Sequence, residues 1–271
     1  MRPTARTRLF AVIGDPVRHS LSPTIQNAAF LAAGIDATYI ALAVPAADVA
    51  SVLRTLVANG GGGNITIPHK RVAAAVPGLP TARVRLLGVA NVFAAALDAG
   101  GPILGNTDVD GILAAIDTLG GPFGAWLIVG TGGSARAAAG AALERGVPIA
   151  VRSREPERAA AYLAWAASIG VAVAPLEHCQ LVINTTPLGL QAGDASPQPL
   201  DELPSLAAAL DLTYRPDGPT RWVLTCRERG LRAVDGREVL LAQGAACWEH
   251  WFPGVTPPVE VMRAALDGRL V

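Results

Sequence analysis

The 271-residue sequence has no apolar run long enough to cross a bilayer, although hydrophobic residues make up 51% of it and its mean hydropathy is +0.37. Asp, Arg, Pro or Gly interrupts every apolar stretch well before the roughly eighteen residues that a transmembrane helix needs. Asp15 ends the first apolar segment too soon for the core of a signal peptide. We therefore expect a cytoplasmic protein that does not bind membranes.

The sequence also lacks net charge and paired cysteines. Its 22 basic and 22 acidic residues create no overall field that would attract nucleic acid. The three cysteines, Cys179, Cys226 and Cys247, include no C-x-x-C pair, which argues against a disulfide framework and against a zinc site. We therefore expect a reducing compartment, no metal, and a small neutral or anionic ligand.

Lysine is almost absent, because Lys70 is the only lysine among the 22 basic residues. Arginine cannot titrate near neutral pH, whereas a lysine can when its surroundings lower its pKa. Lys70 is therefore a candidate acid–base residue. The alternative is that a single lysine remains by chance.

Short apolar runs alternate with helical patterns along most of the chain. In the first hundred residues they predict a β-α-β-α-β order, with helices from Pro23 to about Ala33 and from about Ala46 to Ala58. After the second of these helices, the run Gly60 to Gly63 either permits a close approach between backbone segments or forms a flexible loop.

A second alternating series begins at the apolar run from Trp126 to Val129 and predicts a doubly wound parallel sheet. Its further expected strands lie in the segments PIAV, VAVAP, LVINTT and LAAALDLTY. Helices are expected from Gln243 to Trp251 and from Val259 to Leu266, and they can pack back on the first domain. The sequence therefore predicts an α/β protein of two domains.

A glycine-rich turn, Gly130-Thr-Gly-Gly-Ser-Ala135, stands between an apolar strand and a predicted helix that begins at about Ser134. In the pattern G-x-G-x-x-[G/A], the first glycine permits a tight turn and the second lets backbone amides approach a pyrophosphate, whose charge the helix N-terminus favours. The turn predicts a dinucleotide site at Gly130, Gly132, Gly133, Ser134 and Ala135. A plain strand-to-helix turn is the alternative.

About twenty residues further on, the sequence reads Val151-Arg-Ser-Arg-Glu155, where an NAD-binding fold usually offers Asp or Glu to the ribose. Arg154, and secondarily Arg152 and Ser153, favour a 2′-phosphate and therefore NADP. Glu155 leaves NAD open. Both arginines could instead be solvated residues at the head of a helix.

Polar residues form short islands between the apolar runs. Ser22 is expected to be the N-cap of the first helix with Pro23 as its first residue, and the Ser20 and Ser22 hydroxyls beside helix-start amides can bind a carboxylate. The segment from Asn64 to Lys70 is expected to be a strand that delivers Lys70 to its end. Four of the six asparagines fall in such islands: Asn64, Asn91, Asn106 and Asn184.

Seven islands occur in an order that resembles the shikimate dehydrogenase family along nearly the whole chain. They are HSLSP (19–23), NITIPHK (64–70), GVAN (88–91), GNTDVDG (105–111), GTGGSARA (130–137), NTTPLG (184–189), and DLTYRP with LLAQGA near 211 and 240. The resemblance implies NADP-dependent, reversible reduction of 3-dehydroshikimate to shikimate. It also implies a substrate-binding catalytic domain over 1–107, a Rossmann-type NADP domain over 108–236, and C-terminal helices over 237–271 that return to the substrate domain.

The family pattern also implies roles for single residues. Lys70 and Asp108 become the catalytic pair, and Ser20 and Ser22 meet the substrate carboxylate. The other implied substrate contacts are Thr66, Asn91, Tyr214 and Gln243, and the other implied cofactor contacts are Thr186, Leu190 and Gly236. His19 and His69 are expected to serve local structure.

The sequence departs from this pattern at Val92, Ser153, Thr185 and Leu190, where the family usually has Thr, Asn, Ala and Met, and in the glycine run before Asn64. These departures leave the cofactor preference and the substrate open. The alternatives are a quinate or aminoshikimate dehydrogenase and a non-catalytic NADPH-sensing module. A folate- or glutamyl-tRNA-linked dehydrogenase is disfavoured by the two serines. We expect a monomer or a homodimer.

Overall fold

The structure is a computed structural model that describes residues 3–96, 101–191, 193–215 and 218–269. The chain divides into two compact units, the first formed by Met1–Thr107 with Leu240–Val271 and the second by Asp108–Val239. In the described part of the chain, we find no helix that is long and apolar enough to cross a membrane.

A mixed sheet forms the centre of the first unit. Its strands are β1 (Arg8–Gly14), β2 (Ala37–Ala43), β3 (Gly62–Ile65), β4 (Leu79–Pro80), β5 (Val92–Ala94) and β6 (Ile103–Gly105), in the order β2-β1-β3-β5-β6-β4. β1 runs parallel to β2 and β3, whereas β5 runs antiparallel to β3 and β6. The largely parallel sheet expected from the sequence is therefore a mixed one, with β4 parallel to β6 at its far edge and antiparallel pairing around β5, whose short connection to β6 suits antiparallel neighbours.

The N-terminal part of the first unit contains the helices α1 (Ser22–Ala32), α2 (Val49–Ala58), α3 (Lys70–Ala74) and α4 (Ala82–Leu87). The strand expected from Asn64 to Lys70 is too long, because β3 ends at Ile65 and Lys70 is the first residue of α3. The physical reason is Pro68, which has no N–H to continue a strand ladder. The chain turns there, with the His69 N–H donating to the Thr66 carbonyl at 2.9 Å.

Gly62 and Gly63, the second half of the glycine run, belong to β3, whereas Gly60 is exposed in the turn before it and Gly61 is buried against β1. A Cβ atom would lie 2.0 Å from the Leu9 carbonyl oxygen if added at Gly61, and 1.9 Å from the Ala11 carbonyl oxygen if added at Gly63. Gly63 also has a φ of +156°. Only glycine lets β3 approach β1 this closely.

The second unit is a parallel sheet with helices. Its strands are β7 (Trp126–Val129), β8 (Ile149–Arg152), β9 (Leu181–Asn184), β10 (Ala208–Asp211) and β11 (Arg232–Val234), in the order β11-β10-β9-β7-β8. Its helices are α5 (Asp108–Thr118), α6 (Gly133–Arg145), α7 (Pro156–Ser168) and α8 (Arg221–Glu228). The strand order reverses between β7 and β9, and ligands of such sheets bind at the carboxyl ends of the strands beside that point.

The segment VAVAP does not form the strand that its apolar residues predict. It makes one isolated bridge, between Val173 and Ile149, at the sheet edge next to β8. Pro175 ends the pairing because it lacks an N–H, and edge positions are where short strands fail first.

The last helices are α9 (Gly236–Ala246), α10 (Trp248–Trp251) and α11 (Val259–Leu266). The helix expected from Gln243 to Trp251 is therefore two helices, and it starts earlier than expected. From Leu240 onward these residues complete the first unit: Trp248 Nε1 donates to Gln26 Oε1 at 2.9 Å, and Trp251 Nε1 donates to the Phe93 carbonyl at 3.1 Å. Six aromatic rings pack together there, from Phe10, Phe30, Tyr39, Trp248, Trp251 and Phe252. The predicted α/β fold class is confirmed.

Candidate active site

The loops after β1, β2 and β3 meet at one edge of the first sheet. The Thr66 N–H donates to the Ile13 carbonyl near the end of β1 at 2.8 Å, and His69 Nε2 lies 2.6 Å from the Val44 carbonyl oxygen after β2. The segment after β1 carries Ser20. Ser20, Thr66 and Lys70 therefore all follow carboxyl ends of parallel strands, where ligands of α/β sheets usually bind.

His69 holds the beginning of α3. Because the Val44 carbonyl can only accept, His69 Nε2 is the donor in this contact. Nδ1 is buried and has no hydrogen-bond partner among the described residues. His69 therefore supports the backbone that carries Lys70, which is itself only 8% exposed.

Two predicted substrate residues from distant parts of the chain touch in the first unit. Asn91 Nδ2 donates to Gln243 Oε1 at 3.2 Å, and both side chains are buried. The Ala90 N–H donates to the Lys70 carbonyl at 2.9 Å, so the backbone of Lys70 lies beside the Asn91 segment. The structure thus brings Lys70, Asn91 and Gln243 into one region of the first unit.

Thr107, which the sequence did not single out, fixes the chain just before Asp108. Its N–H donates to Asn91 Oδ1 at 2.6 Å, and its hydroxyl accepts from Asn91 Nδ2 at 3.1 Å. Asp108 follows as the half-buried first residue of α5. The sequence could show that Thr107 neighbours Asp108, but not that it binds Asn91.

A buried polar chain lies behind the two amides. The Tyr39 hydroxyl donates to Asn64 Oδ1 at 2.7 Å, and Asn64 Nδ2 lies within donating distance of the Asn91 carbonyl (3.1 Å), Gln243 Oε1 (3.4 Å) and Cys247 Sγ (3.0 Å). Buried polar groups need such partners, because an unpaired one carries its full desolvation penalty. Asn64 therefore supports Asn91 and Gln243, and its place in a polar island was the only signal of this in the sequence.

Ser22 is not the N-cap that the sequence predicts. It is the first residue of α1, the N-cap is Leu21, and no side chain makes the capping hydrogen bond. The Ser22 N–H donates instead to Ser20 Oγ at 3.3 Å. The prediction is wrong because α1 begins one residue earlier: the Leu21 carbonyl already accepts the first helical hydrogen bond, from the Ile25 N–H at 3.2 Å. Ser20 is half-buried and Ser22 is 5% exposed.

In the second unit, the predicted dinucleotide turn follows β7. Gly130 has a φ of +109°, and a Cβ there would lie 2.6 Å from Thr185 Oγ1. Gly132 is the N-cap of the thirteen-residue helix α6, and a Cβ there would meet no atom within 4 Å. Gly133, Ser134 and Ala135 form the first turn of α6. The backbone amides at the N-terminus of α6 can bind a pyrophosphate, because the space beside Gly132 is open and the helix dipole favours a negative charge there.

The two arginines near the end of β8 have different surroundings. Arg152 donates to Gln198 Oε1 at 3.0 Å and also forms a hydrogen-bonded ion pair with Glu202. The hydrogen bond from Arg152 to Glu202 lowers the pKa of the Glu202 carboxyl. Arg154 is exposed, and within the described ranges it has no hydrogen bond or ion pair. Arg154 is therefore the better placed of the two to bind an added anion.

Neighbours of Arg154 bear on the choice between NADP and NAD. Ser153 Oγ accepts from the Glu155 N–H at 3.3 Å, and the Glu155 carboxylate pairs with Arg158 at 2.7 Å. Glu155 is thus already engaged by a cation of the same helix start, which weakens its case as a ribose ligand.

The loop after β9 is built around Asn184. Asn184 Oδ1 accepts from the Thr186 N–H at 3.0 Å and from its hydroxyl at 2.7 Å, and Asn184 Nδ2 donates to the Leu188 carbonyl at 3.0 Å. Leu190 follows and is 36% exposed. Thr185, one of the departures from the family pattern, uses its hydroxyl to donate to the Val129 carbonyl at 2.7 Å. The departure therefore ties this loop to β7.

The remaining two predicted residues lie after β10. Tyr214 is half-buried and follows Thr213. The Gly236 N–H donates to the Thr213 carbonyl at 2.9 Å, and a Cβ at Gly236 would lie 2.3 Å from the Leu212 carbonyl oxygen. Close packing against Leu212 therefore requires glycine at position 236, independently of any contact that Gly236 makes with a cofactor.

Comparison with known proteins bears on the whole chain. Residues 12–93 match the model of the shikimate dehydrogenase substrate binding domain, and residues 236–266 match that of the shikimate 5′-dehydrogenase C-terminal domain. The shikimate dehydrogenase (NADP(+)) of Rubrobacter xylanophilus is 40% identical over 97% of this chain and 96% of its own length.

Two solved structures are also similar. The first is the Thermus thermophilus shikimate 5-dehydrogenase in complex with NADP(H) and shikimate, with a TM-score of 0.85, 33% identity, and coverage of 97% of this chain and 100% of its own. The second is the 5-ketofructose reductase of a Gluconobacter strain, with a TM-score of 0.83, 27% identity, and coverage of 98% of this chain and 99% of its own. The extent of the likeness to the Rubrobacter and Thermus enzymes, together with the islands of sequence placed in the structure above, establishes that this chain belongs to the shikimate dehydrogenase family.

Proposed function

We propose that the protein catalyses the NADP-dependent, reversible reduction of 3-dehydroshikimate to shikimate. The observation that carries the proposal is the joining of Asn91 and Gln243 beside the backbone of the buried Lys70, in a member of this family. Amide side chains both donate and accept hydrogen bonds, which suits a substrate rich in hydroxyl groups.

The substrate-binding roles follow from the chemistry of each group. The hydroxyls of Ser20 and Ser22, at the start of α1, bind the substrate carboxylate. Thr66, Asn91 and Gln243 bind ring oxygens, and Tyr214 lies by the substrate. The locations of Thr66, Asn91 and Gln243 support these roles, because the three residues follow or adjoin strand ends of the first unit. Asn91 and Gln243 also have fixed orientations, since Thr107 binds Asn91 and Asn64 binds Gln243.

The catalytic roles belong to Lys70 and Asp108. During reduction, the Lys70 Nζ ammonium donates a proton to the substrate oxygen as the carbonyl becomes an alcohol, and in the reverse direction the neutral amine accepts that proton. The Asp108 carboxylate accepts a hydrogen bond from a substrate hydroxyl. NADPH, when bound, supplies the hydride.

The cofactor roles belong to the second unit. The backbone amides from Gly130 to Ala135 bind the pyrophosphate, supported by the open space at Gly132 and by the length of α6. Arg154, with Ser153, binds the 2′-phosphate, which is consistent with the exposure of Arg154. Thr186, Leu190 and Gly236 border the nicotinamide. We also propose a reducing cytosolic location, which the three free, buried cysteines favour.

The test is an assay of NADP(H) absorbance with purified protein. Shikimate with NADP should give rapid, saturable reduction of the cofactor, and 3-dehydroshikimate with NADPH should give the reverse reaction. Quinate, aminoshikimate and NAD in place of NADP form the other arms, and omission of substrate is the control. Turnover with quinate or aminoshikimate but not with shikimate would overturn the substrate assignment. NADPH binding without turnover of any substrate would favour a sensing module.

A ketosugar is a second candidate substrate, because one solved structure similar to this protein is that of an enzyme named for such a substrate. A protein of closely similar fold over nearly the whole chain is a 5-ketofructose reductase. The assay therefore includes 5-ketofructose with NADPH, and a higher kcat/KM for it than for 3-dehydroshikimate would replace the proposed substrate.

A further inference from the structure

The Asp211 carboxylate, at the end of β10, is fully buried and accepts four hydrogen bonds. Asn184 Nδ2 (2.8 Å), the Thr213 N–H (3.0 Å) and the Thr213 hydroxyl (2.8 Å) donate to Oδ1, and the Thr220 hydroxyl donates to Oδ2 at 2.7 Å. Burial raises the pKa of this carboxyl, and the hydrogen bonds oppose that rise. Neither the sequence motifs nor the proposed function gives Asp211 a role.

Asp211 and the Leu188 carbonyl, both of which accept from Asn184 Nδ2, together determine which way the Asn184 amide faces. A carboxylate can only accept, so the NH2 group of Asn184 must face Asp211. The Asn184 oxygen then faces the other way, where it accepts from the N–H and the hydroxyl of Thr186. An amide held the other way round would set its NH2 group against the Thr186 N–H and lose that hydrogen bond. The loop from Thr186 to Leu190 is therefore held in part by Asp211, which lies at the end of the neighbouring strand.

The same carboxylate holds a second segment. Thr213, which donates to it twice, precedes Tyr214, and the Thr213 carbonyl accepts from the Gly236 N–H at 2.9 Å. Thr220 is the N-cap of α8, where its oxygen accepts from the Val223 N–H at 3.3 Å while its hydroxyl donates to Asp211. One buried anion thus joins the loop after β9, the Tyr214 segment and the start of α8.

We propose that Asp211 is a positioning residue, which holds the loop from Thr186 to Leu190 and the Tyr214 segment in place for the nicotinamide half of the cofactor. The proposal rests on the proposed function, which puts Thr186 and Leu190 beside the nicotinamide. Asp211 does not touch the cofactor itself, since its contacts run through Asn184 and Thr213.

The test compares two nucleotides in the variant Asp211→Asn. NADP carries the nicotinamide half, whereas adenosine 2′,5′-bisphosphate lacks it and probes only the adenosine and its phosphates. Calorimetric titration should show NADP affinity lowered by about tenfold, the factor that corresponds to one lost hydrogen bond, while the affinity for the bisphosphate stays at the wild-type value. The kcat with shikimate should fall as well.

Leu181→Ala is the matched control. Leu181 is fully buried at the opposite end of β9 from Asn184, so its truncation destabilises the same unit without touching the loop. It should lower the thermal unfolding temperature and leave both nucleotide affinities and kcat unchanged. If Asp211→Asn behaves like this control, or if it weakens both nucleotides equally, Asp211 is merely structural and the proposal is overturned.

Thr213→Val keeps the test decisive if Asp211→Asn does not fold. Valine has nearly the shape of threonine and removes one donor to Asp211 while it retains the backbone donor. It should shift NADP affinity in the same direction by a smaller factor, and wild-type NADP affinity would contradict the proposal. The wild-type shikimate assay separates the two claims: if it fails while the nucleotide comparison succeeds, the proposed function is wrong and the positioning role stands.

Discussion

Gly130 and Gly132, two residues apart in the same turn, should respond to alanine in opposite ways. At Gly132 the backbone angles (φ −82°, ψ −164°) are open to alanine, and the added methyl meets no atom within 4 Å. The expected effect of Gly132→Ala on the free energy of unfolding is therefore about 1 kcal/mol or less, the difference between glycine and alanine at an N-cap.

The cost of Gly132→Ala should appear in cofactor binding instead. A methyl group in that open space keeps a pyrophosphate from the backbone amides of α6. Each hydrogen bond to a charged group is worth roughly 1.5–3 kcal/mol, which corresponds to about a 10- to 150-fold loss of NADP affinity for one such bond.

At Gly130 the expected cost is in folding. The positive φ of +109° and the 2.6 Å approach to Thr185 Oγ1 both exclude a side chain. The backbone strain alone is about 1–2 kcal/mol. Adding Thr185→Ala, which restores the residue usual in the family, removes the nearest clashing atom, Thr185 Oγ1, and should recover part of the lost stability.

Thermal unfolding and calorimetric NADP titration of these variants measure the two effects separately. The reasoning predicts a Gly132→Ala protein that is stable and binds NADP poorly. Wild-type NADP affinity in that variant would show that no phosphate lies over Gly132, and a large loss of stability would show that the space there is not open.

Three other predictions concern single side chains. Arg154→Ala should raise the KM for NADP by about 10- to 150-fold and leave the KM for NAD unchanged, whereas Arg152→Ala should change both little; equal effects of Arg154→Ala on the two cofactors would contradict the assignment. Lys70→Ala should lower kcat by about 10² to 10⁴, and Lys70→Arg should do nearly the same because arginine does not release a proton, so an active Arg variant would show that Lys70 is structural. Ser22→Ala has no capping bond to lose, and should raise the KM for shikimate by about tenfold or more with unchanged thermal stability, whereas Ser20→Ala should also lose stability; a wild-type KM in Ser22→Ala would count against carboxylate binding.

Features that depend on local backbone rules could be predicted from the sequence. The helix from Val259 to Leu266 was predicted with the bounds that the structure has, and the turn at Gly130 stands between a strand and a helix as expected. The fold class and the family are confirmed. The helix and the turn each depend on residue types within about ten positions of one another, and the fold class and the family depend on the order of such local patterns along the chain.

Other features depend on contacts that no local pattern records. The segment VAVAP has the composition of a strand, but it lies at a sheet edge and makes only one isolated bridge among the described residues. The sequence offers the hydroxyls of both Ser20 and Ser22, and only the structure shows that the Ser20 hydroxyl accepts from the Ser22 N–H. The support that Asn64 gives to Gln243 joins residues 179 positions apart. The roles of Lys70, Asp108 and the other predicted site residues remain predictions.

The division of the first unit between the two ends of the chain has a consequence for its synthesis. Phe10, Phe30 and Tyr39 leave the ribosome long before Trp248 and Trp251, the rings against which they pack. At roughly 5–20 residues per second, the intervening Asp108–Val239 stretch takes on the order of ten seconds to emerge. At the end of that interval the second unit has its whole sequence and can fold, while the nascent first unit still exposes an incomplete aromatic surface. We therefore expect nascent chains stalled before Leu240 to be protease-sensitive in their first hundred residues and protected in the second unit.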